Sequence, residues 1–231
     1  MARPCLVLIP GLSYGADLWS YQHKHLADVA DIVVVVPDNR DMAKVLEQID
    51  QAGGDRFYLG THSGGTLAGF AAAAEFGDRV TGLVSQGSMA KLMPPIKEFM
   101  STLIEQVQSG EIDAARRGLL SQALGSGHPN QQELVDEVTA CQRQVNDENL
   151  VAQCHFIADN MDQTAALPQI GCPTLIVHAA QDGFFNLGSA KFIQQSIPGA
   201  HLTVVPASGH LAMVEQPEAI TALLQAWFAR E

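Results

Sequence analysis

Six short apolar runs punctuate this chain, and helical patterns separate them: Cys5 to Ile9, Ile32 to Val36, Phe57 to Gly60, Val80 to Ser85, Thr174 to His178 and Leu202 to Val205. Unbroken apolar runs of this length are what strands covered on both faces require, and helices between such strands are the usual connections of a parallel sheet. The helical patterns Asp17 to Leu26, Met42 to Gln51, Gly65 to Phe76, Leu187 to Ile197 and Pro217 to Arg230 complete the alternation. Together they predict an α/β fold with a doubly wound, mainly parallel sheet of about six strands. The rhythm breaks once. Residues 89–168 hold no β-rich run but carry amphipathic helical spacing, such as Ile96, Phe99, Met100, Leu103, Ile104 and Val107. This block is expected to be a helical cap inserted over the strand ends, with residues 1–88 and 169–231 forming the core of a single domain. Gly125 to Asn130 divides the cap, and Leu167-Pro168 with Cys172-Pro173 marks the return to the sheet.

A chain of 231 residues is long enough to bury about 70% of its unfolded surface without a covalent staple. Its net charge is −12, and the 13 Lys and Arg residues are scattered. A nucleic-acid or anionic-membrane partner is therefore not expected, and a monomer or small homo-oligomer is. Cys5, Cys141, Cys154 and Cys172 form no C-x-x-C pair, and most lie in or beside apolar stretches, so they read as buried free thiols. Free thiols and the absence of a signal-like leader point to the cytoplasm.

The chemistry begins at Phe57 to Thr66, where an apolar strand gives way at Thr61-His62-Ser63-Gly64-Gly65 to a helix of small residues. A strand that stops here and a helix that starts at Gly65 leave Ser63 on a sharp turn, with helical N–H groups beneath its hydroxyl. Ligands of open parallel sheets bind at the carboxyl ends of the strands, so the residues just after the other strands matter. Asp182 follows the fifth run and His210 the sixth. A serine hydroxyl is a poor nucleophile until an imidazole takes its proton, and the imidazole needs a carboxylate to hold one tautomer. Ser63, Asp182 and His210 supply that set in the order Ser, Asp, His. After the first strand, Pro10-Gly11-Leu12 turns away from the sheet, and the backbone N–H groups of Leu12 and Gly64 are assigned to an oxyanion hole.

These motifs resemble those of the α/β-hydrolase family, in its compact serine-esterase branch with a helical cap. The resemblance extends to Gly209-His210 followed by Glu215-Gln216-Pro217-Glu218, and to Cys172-Pro173-Thr174-Leu175, but hardly to the cap. It departs from the family pattern at Pro10, at Thr61 in place of the first elbow glycine, and at Asp38 to Asp41, where no glycine-rich loop follows the second strand. The resemblance implies a cofactor-independent hydrolase that cleaves a carboxylic ester, a lactone or a related small-molecule acyl substrate through an acyl-enzyme on Ser63. The same triad in that family also serves thioesterases and carbon–carbon bond hydrolases, and some members are small-molecule receptors without turnover.

Other candidates have plainer readings. His62 adjoins Ser63 but points elsewhere at a turn, which favours packing or hydrogen bonding. His178 lies within a strand as a core histidine, and His23 and His25 lack the i, i+4 spacing of a metal pair. No metal or cofactor is expected. Asp38 reads as a turn former, and Tyr14 as a cover for the oxyanion loop or a substrate contact.

Overall fold

The computed structural model describes residues 3–91 and 93–228. Six strands, β1 (Cys5–Ile9), β2 (Asp31–Val34), β3 (Phe57–His62), β4 (Val80–Gln86), β5 (Thr174–Ala179) and β6 (His201–Val205), pair in parallel throughout. Their order is β2-β1-β3-β4-β5-β6. The chain steps outward from β1 to β2 and then back across to β3, so the crevice of this doubly wound sheet opens between the carboxyl ends of β1 and β3. Pro10 to Leu12 and Ser63 stand at that crevice.

Because side chains alternate along a strand, each apolar run feeds two cores. Val7 and Ile9 of β1 join Phe57 and Leu59 of β3 on one face, while Leu6, Leu8 and Tyr58 serve the other. The first face is covered by α2 (Met42–Gly53), α3 (Gly65–Phe76) and α8 (Leu187–Ser196), through residues such as Ile49, Leu67, Phe70 and Ile193. The second is covered by α1 (Ser20–Leu26), the single turn α9 (Ala212–Glu215) and α10 (Pro217–Phe228), through Leu26, Met213, Leu224 and Trp227. Leu67 and Phe70 are fully buried, and each such side chain contributes about 1.5–3 kcal/mol of burial. Gly65 lets α3 sit directly on the end of β1, since a Cβ there would lie 2.5 Å from the Pro10 carbonyl oxygen.

Between β4 and β5 the chain forms α4 (Pro94–Gln108), α5 (Ile112–Ala123), α6 (Gln131–Arg143) and α7 (Asp147–Asn160). The break predicted at Gly125 to Asn130 separates α5 from α6. Met100, Leu103 and Val107 of α4 with Leu150 and Phe156 of α7 extend the first core, whereas Leu120 of α5 and Val138 of α6 extend the second. The helical insertion is thus anchored to both sides of the sheet.

Local differences from the sequence reading have simple causes. β2 is an edge strand with Val33 40% exposed, and it ends at Val34 because only one side offers partners; Val35 still donates its N–H to Leu8. The segment from Asp17 opens with a 3-10 turn, Ala16–Trp19, before α1 begins. The predicted continuation of α10 to Arg230 runs beyond the described residues. All four cysteines are free thiols, and burial pushes those of Cys141 and Cys154 up to about 11 and about 12. Among the described residues no helix is long and apolar enough to cross a membrane.

Candidate active site

Ser63 has φ 51°, a left-handed conformation that a non-glycine residue adopts only when its surroundings impose it. The surroundings do so from both ends. Ser63 N–H donates to Gln86 O (3.0 Å), and the Thr66 hydroxyl donates to Ser63 O (2.6 Å). Gly11 presses in from the β1 loop, where a Cβ would stand 2.6 Å from that of Ser63, and Gly64 faces Ile157 of α7 at 2.4 Å by the same measure. The departure at Thr61 is accommodated from the helix. Gly69 of α3 lies opposite, where a Cβ would come within 2.4 Å of the Thr61 methyl, and the Thr61 hydroxyl bonds Ser85 Oγ at 3.1 Å. The glycine missing from the strand has, in effect, been placed on the helix it packs against.

Asp182 and His210 are joined by a hydrogen bond from Nδ1 to Oδ2 of 2.8 Å. The carboxylate side chain is 0% exposed and the imidazole 5%. Asp182 Oδ1 accepts from the N–H groups of Phe184 (2.8 Å) and Phe185 (3.0 Å), so the acid is gripped at both oxygens. Burial alone would raise its pKa, but the hydrogen bond and charge of His210 with the two backbone N–H groups outweigh it, and the net shift is downward. Asp182 therefore contributes stability that is present above the unfolded carboxylate pKa and is lost as pH falls through the depressed value. With Nδ1–H committed to an acceptor-only carboxylate, a neutral His210 keeps Nε2 unprotonated.

Ser63 and His210 share the wall of one cavity of about 180 Å³. Phe99 and Met100 of α4, Leu119 of α5 and Phe184 give it an apolar interior, with Gln122 beside them. Leu103, from the same predicted stripe as Phe99, instead lies in the core. Among the described residues no hydrogen bond joins the Ser63 hydroxyl to His210. The N–H groups of Leu12 and Gly64 donate to no acceptor in the described residues, and Gly64 sits close to Leu12 N, 3.8 Å from where its Cβ would be. Two neighbouring uncommitted donors at the Ser63 turn have the arrangement that a developing oxyanion requires.

A profile of the family described as alpha/beta hydrolase fold matches residues 36–217. The chain belongs to this family. A relative from Klebsiella pneumoniae (strain 342), named "Putative carbamate hydrolase RutD", is 25% identical over 96% of this chain and 90% of its own length. Among solved structures, a thermophilic esterase from Thermogutta terrifontis superimposes with a TM-score of 0.87 at 22% identity, covering 99% of this chain and 90% of that one. The enol-lactonase of Burkholderia xenovorans LB400 gives 0.86 at 16% identity, covering 100% and 93%. At such identities the structural likeness establishes the alpha/beta hydrolase fold.

Several residues that shape the site carry little signal in the sequence. Gly87, with φ 56°, ends β4, and a Cβ there would lie 2.7 Å from His210 Cε1; only a glycine leaves the imidazole its place. His62 is fully buried and neutral: burial first, then the neighbouring His210, holds its pKa well below the usual value. Its Nε2–H donates to His210 O at 3.1 Å, so it supports the backbone of His210, in keeping with the hydrogen-bonding role expected for it. Glu215 stands in the histidine turn and ties the insertion to that turn. Its Oε2 accepts from Gly125 N–H (2.8 Å) and its Oε1 from Gly209 N–H (2.9 Å). Burial raises its pKa despite both donors. Glu215→Gln would turn an amide NH2 toward one of these N–H groups, and a loss of about 2 kcal/mol in urea unfolding is expected. An unchanged midpoint and slope would mean that the two contacts stabilise nothing.

Proposed function

We propose that this protein is a cofactor-independent serine hydrolase acting on a carboxylic ester or lactone with an apolar acyl group. The reading is carried by one observation: the Asp182–His210 pair and Ser63 on its left-handed turn meet at an apolar cavity beside two uncommitted backbone N–H groups. In this scheme Ser63 Oγ attacks the carbonyl carbon while its proton passes to His210 Nε2. Leu12 and Gly64 N–H groups hold the resulting oxyanion, worth about 3–4 kcal/mol of barrier per donor. Collapse expels the alcohol, which takes the proton from His210. A water then gives its proton to His210 and attacks the acyl-enzyme, and the acid leaves as Ser63 regains its proton. Asp182 holds the tautomer and stabilises the imidazolium throughout. The helical insertion serves as the cap that supplies the acyl pocket and excludes water.

An organophosphorus probe such as a fluorophosphonate is expected to label the folded protein once, at Ser63, the serine that lines the cavity together with His210. Mass mapping reads the site. A label elsewhere, or none on folded protein, removes the assignment. The carbamate-hydrolase name of the Klebsiella relative favours a second reading, attack on a carbamate carbonyl by the same groups. Ammonia release from an alkyl carbamate, set against alcohol release from a butyrate ester, separates the two.

A further inference from the structure

The cavity that holds Ser63 and His210 has a neighbour. A groove of about 350 Å³ lies between the start of the helical insertion and α8, with Met93, Phe192 and Ile193 among its apolar walls. Phe192 is 41% exposed, unusual for a large apolar side chain on a helix that buries Ile193 one residue later. The two hollows share one lining residue, Met89. Its backbone is held to the Ser63 turn: Met89 N–H donates to Thr66 Oγ1 (3.4 Å), and that hydroxyl is itself 2.6 Å from Ser63 O. Its side chain is unbranched with three rotatable bonds, the type most able to change shape without moving the chain it hangs from. A fixed backbone with a pliant side chain on the wall common to two apolar hollows has the form of a partition.

We propose that Met89 sets the length of acyl chain this site accepts: short chains end against its thioether, and longer straight chains pass beyond it only when it is displaced, lying then against Phe192 and Ile193. The proposal rests on the acyl-hydrolase reading above and deepens it, since it names straight-chain acyl groups as the class graded by the site. It is a matter of space and burial, with no new chemical step. Met93, Phe192 and Ile193 supply the groove's apolar lining, and Lys91, Asn186 and Ser189 line it as well. Each methylene newly buried there is worth about a fourfold change in kcat/KM.

The test measures kcat/KM for p-nitrophenyl butyrate and decanoate. Met89→Ala is expected to raise the decanoate-to-butyrate ratio at least tenfold. Adding Phe192→Asp to that variant should remove most of the gain by placing a charge on the groove wall, whereas Phe192→Asp alone should lower the ratio by a smaller factor, because Met89 already holds most of the chain out of the groove. An unchanged ratio in folded Met89→Ala, or a gain untouched by Phe192→Asp, overturns the proposal. Met89→Val removes less volume and serves if the alanine variant does not fold, with a smaller shift in the same direction. Calorimetric binding of free decanoate needs no turnover: Met89→Ala should bind it more tightly than the unaltered protein, and equal affinity counts against the partition. Failure of the unaltered protein to hydrolyse either ester would instead sink the esterase reading, which keeps the two ideas separate.

Discussion

Ser63→Ala and His210→Ala are each expected to lower kcat by about 10⁴- to 10⁶-fold, with the double variant scarcely below either single one. In the proposed mechanism hydroxyl and imidazole act in one proton transfer, and a step already lost cannot be lost again. What survives in all three is the contribution of substrate binding and of the Leu12 and Gly64 N–H groups, which neither substitution touches. The measurement is single-turnover hydrolysis of an activated ester, with a circular-dichroism melt to show that each variant is folded. If the two losses multiply, Ser63 and His210 do not share a step, and the proposed mechanism is wrong.

Asp182→Asn is expected to cost about 10⁴ in kcat with little change in fold. The direction follows from the three hydrogen bonds that the acid accepts. The N–H groups of Phe184 and Phe185 both point at Oδ1 and will keep an amide oxygen there. The amide NH2 must then face His210 Nδ1 and donate to it, which moves the imidazole proton to Nε2. A histidine with its proton on Nε2 cannot take one from Ser63. Retention of near-full activity in Asp182→Asn while Ser63→Ala is dead would mean that another carboxylate holds His210, and Asp38 or an acid of the helical insertion would be tested next.

Legibility differed sharply between the parts of this molecule. β1, β3, β4 and β5 were readable because each is covered on both faces, and that condition writes itself as a local apolar run; β2 and β6, half exposed at the edges of the sheet, were readable from their β-branched residues. The Asp182–His210 pair that the structure joins was readable as a candidate because strand ends are local features too, and a serine nucleophile would call for those side chains there. Thr61 shows the limit. In sequence it is a flaw in the turn, whereas in the fold the space it takes is returned by Gly69, about one turn along the facing helix. Compensation of that kind depends on which atoms meet across a strand–helix interface, and no local pattern reports it. The same holds for Gly87, whose missing Cβ makes room for His210 from 123 positions away in the chain.

The helical insertion was legible as helices and opaque as a pocket. Phe99 and Leu103 belong to one stripe at helical spacing, yet Phe99 faces the cavity and Leu103 the core, because the stripe is wider than the surface it packs on. Glu215 was visible as part of a familiar turn, but its two backbone partners, one in the insertion and one beside His210, emerge only when loops distant in sequence are brought together. The amino-acid sequence by itself determined the order of elements, the candidate set of Ser63, Asp182 and His210, and the small residues demanded by the turn at Ser63. These rest on periodicity, residue chemistry and short-range sterics, all of which act over a few positions. The tertiary structure alone decided the cavity, its Met89 wall and the groove behind it, because the shape of an empty space is a property of surfaces that meet and belongs to no single segment of chain.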